Sequence, residues 1–238
     1  MRGRTPIAAA LLACVVMGAS AQPTAAPQAP VGELKPLGND RFQIGRIVVD
    51  KRHGRFTVPG RVHLLDKPLE YLASAPGGMK EYETLLVVEA SGTEFNLACI
   101  LLGLERDPAQ SPAYQFSQQP LAGPRVAISI GWQDGDARRQ VPAAEALLEQ
   151  GADTKPEAVE WVYTGSIPPT PQTPFAADVT GTLVGFVHDP NTVIDAVRGL
   201  GIGAYGSVNG NSTLLPPVGT AVELVVEVAR AAATKAQP

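Results

Sequence analysis

From Val126 to Trp132 the chain alternates without a break. Val126, Ile128, Ile130 and Trp132 are large and apolar, while Ala127, Ser129 and Gly131 between them are small. Val222, Leu224, Val226 and Val228 repeat the pattern against Glu223 and Glu227. A period of two places each apolar set on one face of an extended chain, because successive strand side chains point to opposite faces. A lone strand leaves its backbone N–H and C=O groups unpaired. The chain is therefore bound to build a sheet around these two segments, with one face against a core.

Other strand signals surround them. Residues 44–49 form a β-branched run. Residues 55–58 follow a His53-Gly54 turn, and Pro59-Gly60 reads as the next turn. Residues 69–73 and 81–89 flank Pro76-Gly77-Gly78 and are expected to pair as a hairpin. After Gln133-Asp134-Gly135-Asp136, residues 137–141 read as a return strand beside 126–132. Residues 161–164, 179–188 and 222–228 complete the set.

Helical patterns are few. Ser91-Gly92-Thr93-Glu94 has the spacing of a capping box, and Phe95, Ala98, Cys99 and Leu102 follow on one face. Residues 142–150 open on Pro142 and stop before Gly151, the signature of a second helix, and a short third is expected over 191–198. Strands outnumber helices without alternating regularly with them. The expected fold class is α+β, a largely antiparallel β-sheet domain with two or three short helices, spanning residues 34–229.

The ends read differently. Arg2 and Arg4 precede an uncharged apolar stretch from Ile7 to Met17, and Ala19-Ser20-Ala21 follows with small-x-small spacing. This predicts a signal peptide over residues 1–21, a mature chain from Gln22 and a periplasmic location. The alternative takes Leu11-Leu12-Ala13-Cys14 as a lipobox, with a lipid anchor at Cys14 and a membrane-anchored lipoprotein. Residues 22–33 read as a Pro/Ala-rich disordered spacer, and 230–238 as a loose tail. No later stretch approaches the roughly 18 apolar residues of a spanning helix. Cleavage would move the net charge from −4 to −6, since residues 1–21 hold Arg2 and Arg4 and no acid. A mildly acidic chain without a basic run is not a nucleic-acid binder. Cys99 would remain as a lone thiol on an apolar helix face, where burial is expected.

One block breaks the apolar pattern. Residues 75–83 read Ala-Pro-Gly-Gly-Met-Lys-Glu-Tyr-Glu and bring Lys80, Glu81 and Glu83 to the mouth of an apolar segment. Charges so placed need a partner or a task. Read as a strand, Glu81 and Glu83 share one face, while Lys80 and Tyr82 share the other. The two carboxylates would suit an acid/base pair or a shared cation, and equally an ion pair with Arg61 or Arg125.

His188-Asp189-Pro190 ends a strand. Asp189 before Pro190 has the form of a helix cap, and His188 is expected to be a buried, hydrogen-bonded histidine. Ser166 lacks the Gly-x-Ser-x-Gly context of a nucleophile. Residues 201–206 match Gly-x-Gly-x-x-Gly without the strand before and helix after that a dinucleotide requires. His53 and His63 have no zinc spacing. No cofactor and no metal is expected from these motifs.

Four blocks occur in order: Lys80-Glu81-x-Glu83; the 95–104 segment ending in Leu101-Leu102-Gly103-Leu104; Trp161-Val-Tyr-Thr-Gly-Ser166; and Gly181-Thr-Leu-x-Gly-Phe-x-His-Asp-Pro190. As a set they resemble the YdjY-like domain of exported bacterial proteins, over about residues 46–228. The resemblance implies an exported bacterial location and supplies no reaction. Members of that family commonly carry histidine inside the Lys-Glu-x-Glu block, where this chain has Tyr82, which weakens a metal or histidine-base role here. The expectation is a binding or accessory module of an envelope system rather than an enzyme. Its site would lie at Lys80, Glu81, Glu83 and His188, and its partner would be an envelope protein or a small ligand. The alternatives are a metal-assisted or acid/base hydrolase using Glu81 and Glu83, and a structural envelope protein acting through an apolar patch.

Overall fold

The computed structural model describes residues 32–149, 159–201 and 206–229. The expected signal peptide, Cys14, most of the spacer, the C-terminal tail and most of the 201–206 glycine segment lie outside the described residues. In chain order the strands are β1 (Leu34–Gly38), β2 (Arg41–Ile44), β3 (Ile47–Asp50), β4 (Arg55–Val62), β5 (Tyr71–Ser74) and β6 (Thr84–Val88). Helix α1 (Gly92–Leu101) comes next, then β7 (Arg125–Asp134), β8 (Ala137–Pro142), β9 (Leu147–Glu149) and β10 (Trp161–Tyr163). Helix α2 (Ala176–Thr180) precedes β11 (Thr182–Gly185), β12 (Ile194–Ala196), β13 (Val208–Gly210) and β14 (Ala221–Val228).

Eight strands close into a barrel in the order β4-β14-β7-β10-β12-β11-β5-β6, with β6 returning to β4. This corrects the expected fold class. The protein is a predominantly β, closed barrel, not a largely antiparallel α+β sheet domain with two or three short helices. Two neighbouring pairs, β5–β6 and β11–β12, are parallel. Strands β1, β2 and β3 extend from β4 as an antiparallel meander, β8 pairs with β7, and β9 and β13 form a separate ribbon.

Closure depends on two of the long strands, β4 and β7, sharing an edge between two partners. One edge of β4 pairs with β14 from Arg55 to Arg61. Its other edge pairs with β3 at Arg55, Phe56 and Thr57, then with β6 at Gly60, Arg61 and Val62. Pro59-Gly60 is thus no turn. It lies inside β4, where the partner changes. A Cβ on Gly60 would stand 2.6 Å from the Val87 carbonyl oxygen, so glycine is what lets β6 approach. Strand β7 repeats the device: it meets β10 at Arg125 and Val126, and β8 from Ser129 onward.

The expected hairpin of residues 69–73 with 81–89 is also corrected. Strands β5 and β6 run parallel, with Tyr71 opposite Thr84 and Ala73 opposite Leu86. Residues 75–83 therefore return along the barrel instead of folding back tightly. The return passes over the start of β11, where Gly78 and Gly181 touch backbone to backbone: a Cβ on Gly181 would lie 2.4 Å from Gly78 Cα. Gly181 is left-handed as well (φ 73°) and caps α2. Similarly, the 44–49 run is two strands, β2 and β3, broken at left-handed Gly45 (φ 54°).

Of the expected helices, α1 forms as its capping box dictates. Ser91 Oγ accepts from Glu94 N, and the Glu94 carboxylate accepts from Ser91 N and from Gly32 N. The other two do not form. Residues 143–146 make a 3-10 turn that leads into β9, and Ile194–Ala196 is barrel strand β12. Asp189 caps a turn rather than a helix, its carboxylate accepting from Asn191 N and Nδ2.

The alternation in β7 and β14 does what it predicts: Val126, Ile128, Ile130, Trp132, Val222, Leu224 and Val226 are buried. Strands β5, β6 and β11 are buried at every residue, so both faces are covered and no alternation is visible in them. Helix α1 packs against β3 and β11, with Phe95 edge-on to Phe56 at 5.1 Å between ring centroids. Cys99 is buried and free, and burial raises its thiol pKa, as befits a packing residue.

Candidate functional site

The start of β5, the start of β6 and the end of β11 meet at one end of the barrel. Residues 81–83 form a 3-10 turn there, not a strand. The turn separates the two predicted carboxylates. Glu83 turns inward, is buried, and accepts from Lys80 Nζ at 2.5 Å. Glu81 turns toward Arg61 (3.5 Å) and His63 (3.8 Å) and accepts from Gly77 N at 2.6 Å. Their common face, and the Glu81–Glu83 pair that the hydrolase alternative needs, are products of the strand reading and do not form.

Glu83 has a different carboxyl neighbour. Glu70, immediately before β5, is 5% exposed and stands 3.8 Å from Lys80 Nζ. Burial first, and then the Glu83 charge, push the Glu70 carboxyl up to about 7. Burial pulls Lys80 down, but the Glu83 hydrogen bond and the two carboxylates outweigh it and hold the ammonium up to about 12. The Lys80 head also lies over the rings of Tyr71 (5.9 Å) and Tyr82 (5.7 Å). Tyr82 thus supplies an outer aromatic wall for the lysine.

Behind Lys80 the network continues inward. Tyr71 Oη donates to Asp189 Oδ2 at 2.8 Å, and Gln115 Nε2 donates to Tyr71 Oη at 3.3 Å. Tyr71 lies opposite Gly185, where a Cβ would stand 2.9 Å from Thr192 Cγ2. Asp195, fully buried, accepts from Asp189 N, Thr192 Oγ1 and Ala196 N. These bonds favour its charge, yet burial outweighs them and raises its carboxyl to about 7. His188 is buried, as expected, with φ 61°. Its Nδ1 lies 2.6 Å from the Ser117 carbonyl and its Nε2 2.9 Å from the Ala196 carbonyl. Burial lowers its pKa against the pull of those carbonyls. Both ring nitrogens are occupied by backbone, so His188 ties the 105–124 segment to the barrel.

Lys80 and Glu83 are therefore together, Glu81 has separate partners, and His188 is packed behind Asp189. The cluster's polar atoms are spent on one another. Among the described residues, no group of three or more His, Cys, Asp or Glu side chains is arranged to hold a metal ion.

The open space lies elsewhere. A cavity of about 580 Å³ sits between α1, the end of β10 and the start of α2, and none of its lining residues belongs to the cluster. Ile100, Leu104, Phe175 and Pro168 supply much of its apolar wall. Its polar points are few. Tyr163 Oη donates to Asn96 Oδ1 at 2.8 Å. Asp178 accepts from both Thr93 N and Thr93 Oγ1, which caps α1 and leaves the carboxylate engaged. Arg106 reaches in along the backbone of Gly165 and donates from Nε to the Ser166 carbonyl at 2.6 Å.

Sequence reasoning missed Glu70, Tyr71, Asp195 and Arg106. Glu70 carried the same signal as Lys80, a charge at the mouth of an apolar strand. Arg106 carried none, since its surroundings are set by residues 60 positions away.

Neither the curated proteins nor the solved structures compared with this chain gave a match. A family model, the YdjY domain, matches residues 47–227, from the first residue of β3 almost to the end of β14. The match takes in the whole barrel, the acidic cluster and the cavity, and the chain belongs to the YdjY domain family.

Proposed function

We propose that this protein is an exported, periplasmic binding or accessory module of a bacterial envelope system, and that its ligand occupies the cavity beside α1. The cavity carries the reading. Its volume, about 580 Å³, falls in the range of small-molecule sites, and apolar walls with a few placed polar groups are the usual lining of such sites. Its frame is firm: a capped helix, a barrel strand and left-handed Gly165 (φ 74°) and Ser166 (φ 57°). The export signal read at Arg2, Arg4 and residues 7–21 supports the location, as does the family resemblance.

In this reading Lys80, Glu83 and His188 hold the barrel end together rather than bind ligand, and Glu81 pairs at the surface. The test is binding of Nile Red, a neutral apolar fluorophore, to the purified protein. Ile100, half exposed on the cavity wall, offers a substitution that fills space without touching the core. Ile100→Trp should weaken Nile Red binding at least about ten-fold, since loss of one well-packed apolar contact region costs that much. Tyr82→Ala, at the acidic cluster, should leave it unchanged. Wild-type protein that does not bind the dye, or binds it equally after Ile100→Trp, would refute the cavity as the ligand site. Native mass spectrometry of protein purified from its own host should then show a retained small-molecule mass that Ile100→Trp loses.

A further inference from the structure

We infer that the cavity takes an amphipathic monocarboxylate, an apolar chain ending in a single carboxylate, and that Arg106 is the residue that selects it. The inference rests on the cavity being the ligand site.

The hydrogen-bonding capacity of the cavity is lopsided. Six arginines (Arg46, Arg55, Arg61, Arg125, Arg138 and Arg139) lie within ion-pair distance of a carboxylate. Arg106 is half-buried and lines an apolar space, yet among the described residues no carboxylate stands within that distance of it. Its Nε is spent on the Ser166 carbonyl, and its two terminal amino groups remain. Of the acceptors in the lining, Asn96 Oδ1 is engaged by Tyr163 and Asp178 by Thr93, while Glu105 is exposed to solvent rather than set in the inner wall. What the wall offers a ligand is therefore donors beside an apolar surface.

The chain holds this guanidinium in place at a conformational cost. Gly165 and Ser166 are both left-handed. A Cβ on Gly165 would lie 2.8 Å from Arg106 Cδ and 2.9 Å from its Cβ and Cγ, so the arginine stem lies flat on that glycine. Ser166 is fastened in turn, its Oγ donating to the Asn191 carbonyl at 2.7 Å. Arg106 is also close enough to Tyr163 to pull the phenol pKa down, though burial dominates and raises it. A planar, pre-positioned fork with two free amino groups matches a carboxylate.

The charge of the surroundings sets the ligand's charge. Glu105 and Asp178 line the same cavity, against one arginine. Asp178 is held by Thr93 and Glu105 faces solvent, so Arg106 is the charge left to a ligand at the apolar wall: it balances a monoanion, whereas a dianionic phosphate monoester would keep a surplus negative charge beside the two acids. A cationic amphiphile would pair with Glu105 at the solvent side and leave Arg106 without an acceptor in an apolar space, as would a neutral one.

Competition against Nile Red on the full chain tests this with three ligands of one chain length: decanoate, decanol and decylammonium. On wild type, decanoate should displace the dye about ten-fold or more tightly than decanol, the margin of one charge-assisted hydrogen-bonded pair. Arg106→Gln should remove that margin while Nile Red still binds, and Arg106→Lys should keep part of it. Equal competition by decanoate and decanol on wild type, preference for decylammonium, or an undiminished margin in Arg106→Gln would overturn the inference. Should Arg106→Gln fail to fold, the wild-type comparison decides by itself. Absence of Nile Red binding to wild type refutes the ligand site itself, while dye binding without carboxylate preference refutes only the role of Arg106.

Discussion

At Glu70 a single proton links packing to pH. The carboxyl is raised from its ordinary 4.5 to about 7 by burial and by Glu83, so the fold holds that proton more tightly than the unfolded chain does. Its contribution to stability is therefore fully present below about pH 4.5 and is lost as pH rises through about 7. Asp195, also raised to about 7 by burial, acts in the same sense. His188, lowered by burial, acts in the opposite one: it favours the fold above its ordinary 6.5, and that contribution goes as pH falls. A comparison with Glu70→Gln isolates one of the three. Between pH 5 and pH 8, wild type should lose on the order of 2 kcal/mol more stability than the variant, by urea denaturation. A variant whose pH dependence equals that of wild type would show that the Glu70 proton is not held by the fold. Glu70 was legible in principle, because its position before an apolar strand mirrors that of Lys80. Its partner was not: sequence alternation paired Glu81 with Glu83, and the 3-10 turn at 81–83 paired Glu70 with Glu83 instead.

Among the elements, α1 was the most legible, since everything that starts it is local. Ser91 and Glu94 sit three residues apart and satisfy each other's backbone N–H groups. The tertiary structure adds a task to Glu94. It also accepts from Gly32 N, and left-handed Gly45 leaves room for it, a Cβ there falling 2.4 Å from Glu94 Oε1. Glu94→Ala should thus cost about 1–2 kcal/mol, the upper part of the range for a helix cap, because two backbone donors lose their acceptor at once. A loss no greater than that of Ser91→Ala would mean that the Gly32 contact contributes nothing. The segments misread as helices, 142–150 and 191–198, fail for one reason. Their start and stop residues are as good for a turn as for a helix, and each is drawn into strand pairing by a distant partner, β13 for β9 and β10 for β12.

Across the whole molecule, closure of the barrel rests on Gly60. Any side chain there meets the backbone of β6, which cannot yield as a flexible side chain would. Gly60→Val should destabilise the protein by about 3 kcal/mol or more, measured by urea midpoint, where the same substitution at Gly135, whose Cβ site is open, should be far milder. Equal losses at the two sites would remove the argument that closure depends on this approach. Strict alternation in β7 and β14, the capping box of α1, the Gln133–Asp136 turn with its return strand and the burial of Cys99 on its helix face were fixed by residues close together in the chain. Each is a matter of side-chain period or of hydrogen bonds across a few positions. The parallel return of β6, the change of partner within β4, the meeting of Glu70 with Glu83 and the seating of Arg106 on Gly165 were decided only by the tertiary structure. They join residues far apart, or depend on which side of a strand a neighbour takes, and an apolar run buried on both faces carries no period to record that choice.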